Sequence, residues 1–213
     1  MSLFAPDHTF LCYRDVSAEF LREQGIDALL LDIDNTLAPY EQPTPDPQIC
    51  AWLRSLTDAG IGVAFLSNNH AQRVELFNKD LGLPMRYDAY KPLPRQAKLM
   101  VKRLGVDRHR AALMGDQIFT DVLCAHLAGM HAFLVPPIVD RTDRGTRFKR
   151  KMERKILKRY YKKHTNAPDI RGGSPLTKEY TKACEGMPYS APAATAKAFM
   201  TRAIKQLCKR PRS

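Results

Sequence analysis

Two aspartates one residue apart, Asp32 and Asp34, close an apolar run that starts at Leu29. Along an extended chain alternate side chains share a face, so both carboxylates point one way and Ile33 points back. Carboxylates held that close repel each other unless a cation or a shared proton lies between them. A divalent cation bound by hard oxygen ligands is the simplest stable arrangement. The same pair also lets one carboxylate attack while the other moves a proton. Taken alone, the pair reads as a strand end whose aspartates begin a turn. Three later segments change the balance: Ser67 after the apolar run 60–66, Lys91 before Pro92, and Gly115-Asp116 with Asp121 five residues on.

These residues need strands that end near one another. Residues 28–31 form an uninterrupted apolar run, as expected of a parallel strand buried on both faces. Further strands are expected at 60–66, at 85–89, at 111–114 and at 131–135. Helices are expected over 16–24, 47–59, 70–80, 94–104 and 118–127. Ser17 would cap the first, and Pro47 would open the second. Residues 3–27 read otherwise as a lead-in, and the proline-rich 38–46 as a loop. Alternating strands and helices predict an α/β fold, a doubly wound parallel sheet with right-handed crossovers. Ligands of such sheets bind beyond the carboxyl ends of the strands. There the pattern delivers Asp32 and Asp34, then Ser67, then Lys91, then Asp116.

That set resembles the four motifs of the haloacid dehalogenase superfamily. The motifs read Asp32-Ile33-Asp34-Asn35-Thr36-Leu37, Leu66-Ser67-Asn68, Tyr90-Lys91-Pro92 and Gly115-Asp116-Gln117 with Thr120-Asp121. Gly25-Ile26, Asn69 and Arg73-Val74 add a closer likeness to the YqeG-type subgroup of class IIIA phosphatases. That subgroup is similar to mitochondrial phosphatases that dephosphorylate phosphatidylglycerophosphate. The resemblance implies a Rossmann-like fold and a phosphomonoesterase with Mg²⁺ as cofactor. It implies Asp32 as nucleophile and Asp34 as general acid and base. It implies Asp32, Asp34 (through its main-chain carbonyl) and Asp116 as metal ligands, with Ser67, Asn68 and Lys91 on the phosphoryl group. Asp121 would support Lys91 or a metal-bound water. Asn69 reads as a helix cap, and Arg73 either reaches substrate or lies on a solvated face.

Only 32 residues separate Asp34 from Ser67, and 23 separate Ser67 from Lys91. The crossover helices use most of both, so no cap domain is expected and the site should be open. An open site favours a substrate too large to enclose, such as a lipid head group at a bilayer.

Charge divides the chain of 213 residues. Residues 1–140 carry 13 basic and 17 acidic side chains, and residues 141–213 carry 21 and 5, within a net charge of +12. The expected organisation is a phosphatase domain over 1–140, a basic amphipathic helix over 141–163, and over 164–213 a linker followed by a short helix at 194–209. Phe148, Met152, Ile156 and Tyr160 recur every fourth residue in the basic helix. That helix suits an anionic membrane surface, or packs its stripe on the domain; nucleic acid is a third partner. Five dispersed cysteines and no apolar leader predict a cytoplasmic protein, peripheral at most on the inner face of the membrane. The favoured function is phosphatidylglycerophosphate hydrolysis. The alternatives are a phosphatase for soluble sugar or nucleotide phosphates and a non-enzymatic RNA- or ribosome-binding module.

Overall fold

A computed structural model describes residues 2–139 and 144–177, with the side chains of 144–150 left out. The helix expected over 194–209 lies outside the described residues. Six parallel strands form one sheet: β1 (His8–Thr9), β2 (Ala28–Leu31), β3 (Gly62–Leu66), β4 (Met85–Arg86), β5 (Ala111–Gly115) and β6 (His131–Leu134). Their order across the sheet is β1-β6-β5-β2-β3-β4. The strand carrying the aspartate pair is therefore central, flanked by β3 and β5, each in register with it over four residues.

The fold class is the doubly wound sheet expected, with one strand more. The lead-in hides β1, whose two residues pair with β6 at the sheet edge. Two residues are too few to show alternation. The expected third strand at 85–89 shortens to Met85–Arg86.

Strand β2 is buried throughout, and its side chains alternate between two cores. Leu29 and Leu31 join Phe65, Trp52, Leu53 and Phe77 on one face. Ala28 and Leu30 join Leu113, Ala97, Met100 and Val101 on the other. The first face is covered by α1 (Ala18–Glu23), α2 (Pro47–Asp58) and α3 (Ala71–Asn78), and the second by α4 (Arg95–Arg103) and α5 (Leu123–Ala128). The cap read from the sequence is present, Ser17 Oγ accepting from Phe20 N–H at 3.1 Å, and Pro47 opens α2 as expected; Asp46, read only as loop, caps that helix by accepting from Ile49 N–H at 2.8 Å.

The C-terminal extension packs back on the domain. Helix α6 (Arg144–Tyr161) buries Glu153, Leu157 and Tyr160, while Met152 is exposed. The buried face keeps Tyr160 of the stripe anticipated, with Ile156 partly buried, and elsewhere turns one position from it, to Glu153 and Leu157. Residues 164–177, expected as linker, carry a 3₁₀ turn at Ile170–Gly172 and bury Ile170, Ser174 and Leu176. Ile170 enters one core and Leu176 the other. Thr9 of β1 donates to Pro168 O at 2.9 Å, so the extension also covers the sheet edge. Among the described residues, no helix is long and apolar enough to cross a membrane.

Candidate active site

The carboxyl ends of β2, β3, β4 and β5 bring the predicted residues to one rim. Lys91 is the hub. Its Nζ lies 2.9 Å from Asp32 Oδ1 and 2.6 Å from Asp121 Oδ1, with only 2% of its side chain exposed. One carboxylate oxygen from each of Asp32, Asp116 and Asp121 falls within 4.8 Å of the others. Three buried carboxylates crowd round the Lys91 ammonium, which concentrates acceptor oxygens at one point of the rim. Burial first, then Asp121 and Asp116, push the Asp32 carboxyl up to about 8 against the pull of Lys91. Burial works against the Lys91 ammonium, but Asp121 and Asp32 outweigh it and raise the lysine above its ordinary value. A divalent cation bound by hard oxygens fits this donor set.

Local structure explains why Asp121 reaches this point. After Asp116 the chain takes a π-helical turn, Ile118–Val122, before α5 begins; the sequence predicts one regular helix there. Such widened turns recur at functional sites. Asp121 Oδ2 accepts from Gln117 N–H and from the Thr120 hydroxyl, each at 3.1 Å, which leaves Oδ1 for Lys91. The side chain lies directly against Gly115: a Cβ there would sit 2.2 Å from Asp121 Cγ. Only glycine admits that contact.

The remaining predicted residues divide between facing the rim and holding it. Ser67 is buried, its Oγ accepting from Asn69 N–H at 3.1 Å and its hydroxyl hydrogen left to donate elsewhere. The Asn68 side chain grips the Lys91 main chain from both sides: Nδ2 donates to Lys91 O at 3.0 Å, and Oδ1 accepts from Lys91 N–H at 2.7 Å. Tyr90, just before Lys91, is held at φ +54° with 67% of the residue exposed. A bulky residue there is strained, and the neighbouring grip keeps it so.

The Asp34 carboxylate lies apart from the other three, held at both oxygens. Arg73 donates to Oδ1 from Nε at 3.1 Å and lies within 3.0 Å through its outer nitrogen, while Asn69 Nδ2 donates to Oδ2 at 2.9 Å. Arg73 also donates to Pro43 O at 3.0 Å and stacks over Phe77. It is thus neither a surface residue nor a free arm toward substrate. Asn69 bonds Asp34 as well as its neighbour His70 N–H.

Sequence reasoning misses Glu153. This buried glutamate of α6 accepts from Ile118 N–H at 2.9 Å, tying the C-terminal extension to the first residue of the π-helical turn. It hides within a run of Lys and Arg. Its one signal is being an acid at helical spacing with Leu157 and Tyr160 (four and seven residues on).

A Rossmann-like sheet that presents buried aspartates, a serine and a lysine on successive strand ends is the architecture of a hydrolase handling phosphoryl groups. Residues 12–129 match the family model described as "Hydrolase: haloacid dehalogenase-like hydrolase", and the chain belongs to that family. It is a phosphatase. It is 34% identical over 154 residues to the "Probable phosphatase YqeG" of Bacillus subtilis, an alignment covering 72% of this chain and 90% of that one. Among solved structures, it is similar to the cobalt-bound deoxy-D-mannose-octulosonate 8-phosphate phosphatase of Haemophilus influenzae, with 18% identity, a TM-score of 0.45, and coverage of 64% of this chain and 90% of that one. A second is the 3-deoxy-D-manno-octulosonate 8-phosphate phosphatase of Moraxella catarrhalis, with 16% identity, a TM-score of 0.41, and coverage of 67% and 94%.

Proposed function

We propose that the chain is a Mg²⁺-dependent phosphomonoesterase that works through an aspartyl-phosphate on Asp32, with phosphatidylglycerophosphate as its substrate. The observation that carries the mechanism is the Lys91 ammonium seated between Asp32 and Asp121, beside Asp116. Asp32, Asp116 and the Asp34 carbonyl would hold the cation, which would neutralise charge on the phosphoryl oxygens and favour the ionised Asp32. An Asp32 oxygen forms a bond to phosphorus as the ester oxygen leaves. Asp34 donates its proton to that departing alkoxide. It then takes a proton from the water that attacks the aspartyl-phosphate, releasing inorganic phosphate and restoring Asp32. Ser67 donates its hydroxyl to the phosphoryl group, with the Asn68 main chain beside it, and Lys91 supplies a compact positive charge. Both Asp121 oxygens are already bonded, so it acts by aiming Lys91. Arg73 and Asn69 do the same for Asp34.

The lipid assignment draws support from the resemblance of the motif set and from the strongly basic stretch 141–213, which suits an anionic surface. Peripheral contact with such a membrane belongs to the same reading. Phosphate release is the test: from phosphatidylglycerophosphate in anionic vesicles, and from soluble sugar and nucleotide phosphates, by the wild type and Asp32→Asn. The reading expects Mg²⁺-dependent release, highest on the lipid and lost in the variant. A preference for the soluble esters would reject the lipid, and equal turnover by Asp32→Asn would reject the mechanism.

A further inference from the structure

Helix α4 follows Lys91 almost directly and has two unlike faces. Ala97, Met100 and Val101 are buried against the sheet. On the opposite side Arg95, Lys98, Leu99 and Lys102 keep helical spacing and are exposed, with Arg103 beside them. Residues 89–106 carry five basic side chains and no acidic one. Lys91 is the buried one at the rim, and the other four face water.

Large apolar residues stand out among these charges. Leu93 is 63% exposed and Leu99 52%, and Tyr90 precedes them in the same exposed stretch. Exposed leucines scattered singly need no explanation. Here three large apolar residues fall within 90–99, in the loop after β4 and the first turns of α4. Tyr90 and Leu93 flank the catalytic lysine, and the Leu93 N–H donates to Tyr90 O at 2.9 Å across it. The chain thus buries Lys91 in the site and exposes its apolar neighbours at the edge of that site.

We propose that Tyr90, Leu93 and the outer face of α4 dock on an anionic lipid bilayer and bring the open rim to the membrane surface. The proposal rests on the lipid reading above. That reading drew on the basic stretch beyond residue 140; this one gives the catalytic domain a contact of its own beside Lys91. An anionic surface attracts the four exposed cations, and the interfacial zone takes up a tyrosine and leucines that otherwise stand in water. Nucleic acid would satisfy the charges, but the aliphatic side chains at Leu93 and Leu99 offer a base no ring to stack on. Residues 178–213 carry eight basic and two acidic side chains, so charge turns that part of the chain away from this face.

Vesicle flotation of the full chain tests the face, with vesicles of mixed phosphatidylglycerol and phosphatidylcholine and of phosphatidylcholine alone. The wild type should float with the first and not with the second. Lys98→Glu combined with Lys102→Glu should lower the partition onto anionic vesicles by about tenfold or more. Leu99→Ser should lower it by about threefold or more. Arg54→Glu combined with Lys79→Glu makes the same change in net charge at exposed positions across the sheet, and should cost less than about threefold. Hydrolysis of p-nitrophenyl phosphate should stay at the wild-type level in every variant, which shows that each is folded. A wild type that stays off anionic vesicles would overturn the proposal, as would a control pair as damaging as the α4 pair, or no response to Leu99→Ser. RNA binding that the α4 pair abolishes while vesicle binding persists would overturn it too. The two levels separate: a wild type inert toward p-nitrophenyl phosphate with Mg²⁺ would sink the phosphomonoesterase reading, while flotation alone decides the docking face.

Discussion

Lys91 shows how a single side chain organises the rim. Its ammonium is buried against two aspartates, with its own backbone gripped by Asn68. Replacing it by methionine leaves buried carboxylates facing one another without their cation. Phosphate release should fall by about a hundredfold or more, and the protein should lose roughly 3 kcal/mol in denaturant unfolding without added metal. Gly115→Ala is a sharper probe, because the added methyl group meets Asp121 and not substrate. We expect about 1–3 kcal/mol of destabilisation, measured by chemical denaturation, with a loss of turnover as Asp121 and Lys91 shift together. Asp32, Ser67 and Asp116 were legible in the sequence because each follows an apolar run, and Lys91 by the proline after it; that the Asp34 carboxylate does not share its neighbour's cluster but turns to Arg73 and Asn69 was not legible. Nor was the grip of Asn68 on Lys91 and of Arg73 on Asp34. Those bonds span 23 and 39 residues and depend on how β2, β3 and the loop after β4 lie side by side.

Elements place these residues through a few long-range ties. The π-helical turn after β5 and helix α6 meet at the Glu153 bond to Ile118 N–H. Glu153→Ala leaves that buried donor unpaired, and thermal unfolding should report a loss of about 1–3 kcal/mol. The sequence showed α6 as an amphipathic helix but could not choose between a membrane and the domain, since the same aromatic stripe serves either. In the described part Leu157 and Tyr160 pack on the domain, while Met152 and the basic side chains beside it stay exposed. β1 was invisible for want of length, and its segment is held by a clamp of a different kind. The His126 ring lies 2.9 Å from Leu3 O at Nδ1 and 3.2 Å from Asp7 Oδ2 at Nε2. Both partners only accept, so the ring that serves both is the imidazolium. The bond to Asp7 accordingly raises His126 above its ordinary value. Burial works against the Asp7 carboxyl, but His126 and the Ala132 N–H hold it below the usual range. The histidine's contribution to stability is complete below its unfolded value of 6.5 and disappears as pH rises through the raised folded value. The aspartate's contribution is present above 3.8 and is lost as pH falls through the lowered one. Thermal midpoints measured across pH should therefore show the wild type's advantage over His126→Gln greatest in mildly acidic buffer and smaller on the alkaline side.

Across the whole molecule, charge is split by function. The body over 1–140 is mildly acidic and gathers its buried carboxylates at the rim, while most of the surplus positive charge lies beyond residue 140. A site that brings one oxygen from each of three buried carboxylates within 4.8 Å of one another should take up a divalent cation and gain stability from it. Mg²⁺ should raise the thermal midpoint of the wild type in a concentration-dependent way and do so much less for Asp116→Asn. The most direct measurement of the central claim is chemical trapping. Substrate labelled in the scissile phosphate is mixed with enzyme and Mg²⁺, quenched in acid, and the peptides are mapped. The account predicts an acid-stable, alkali-labile label on the peptide containing Asp32, absent from Asp32→Asn. Steady phosphate release with no label on that peptide, or undiminished release by the variant, would contradict it.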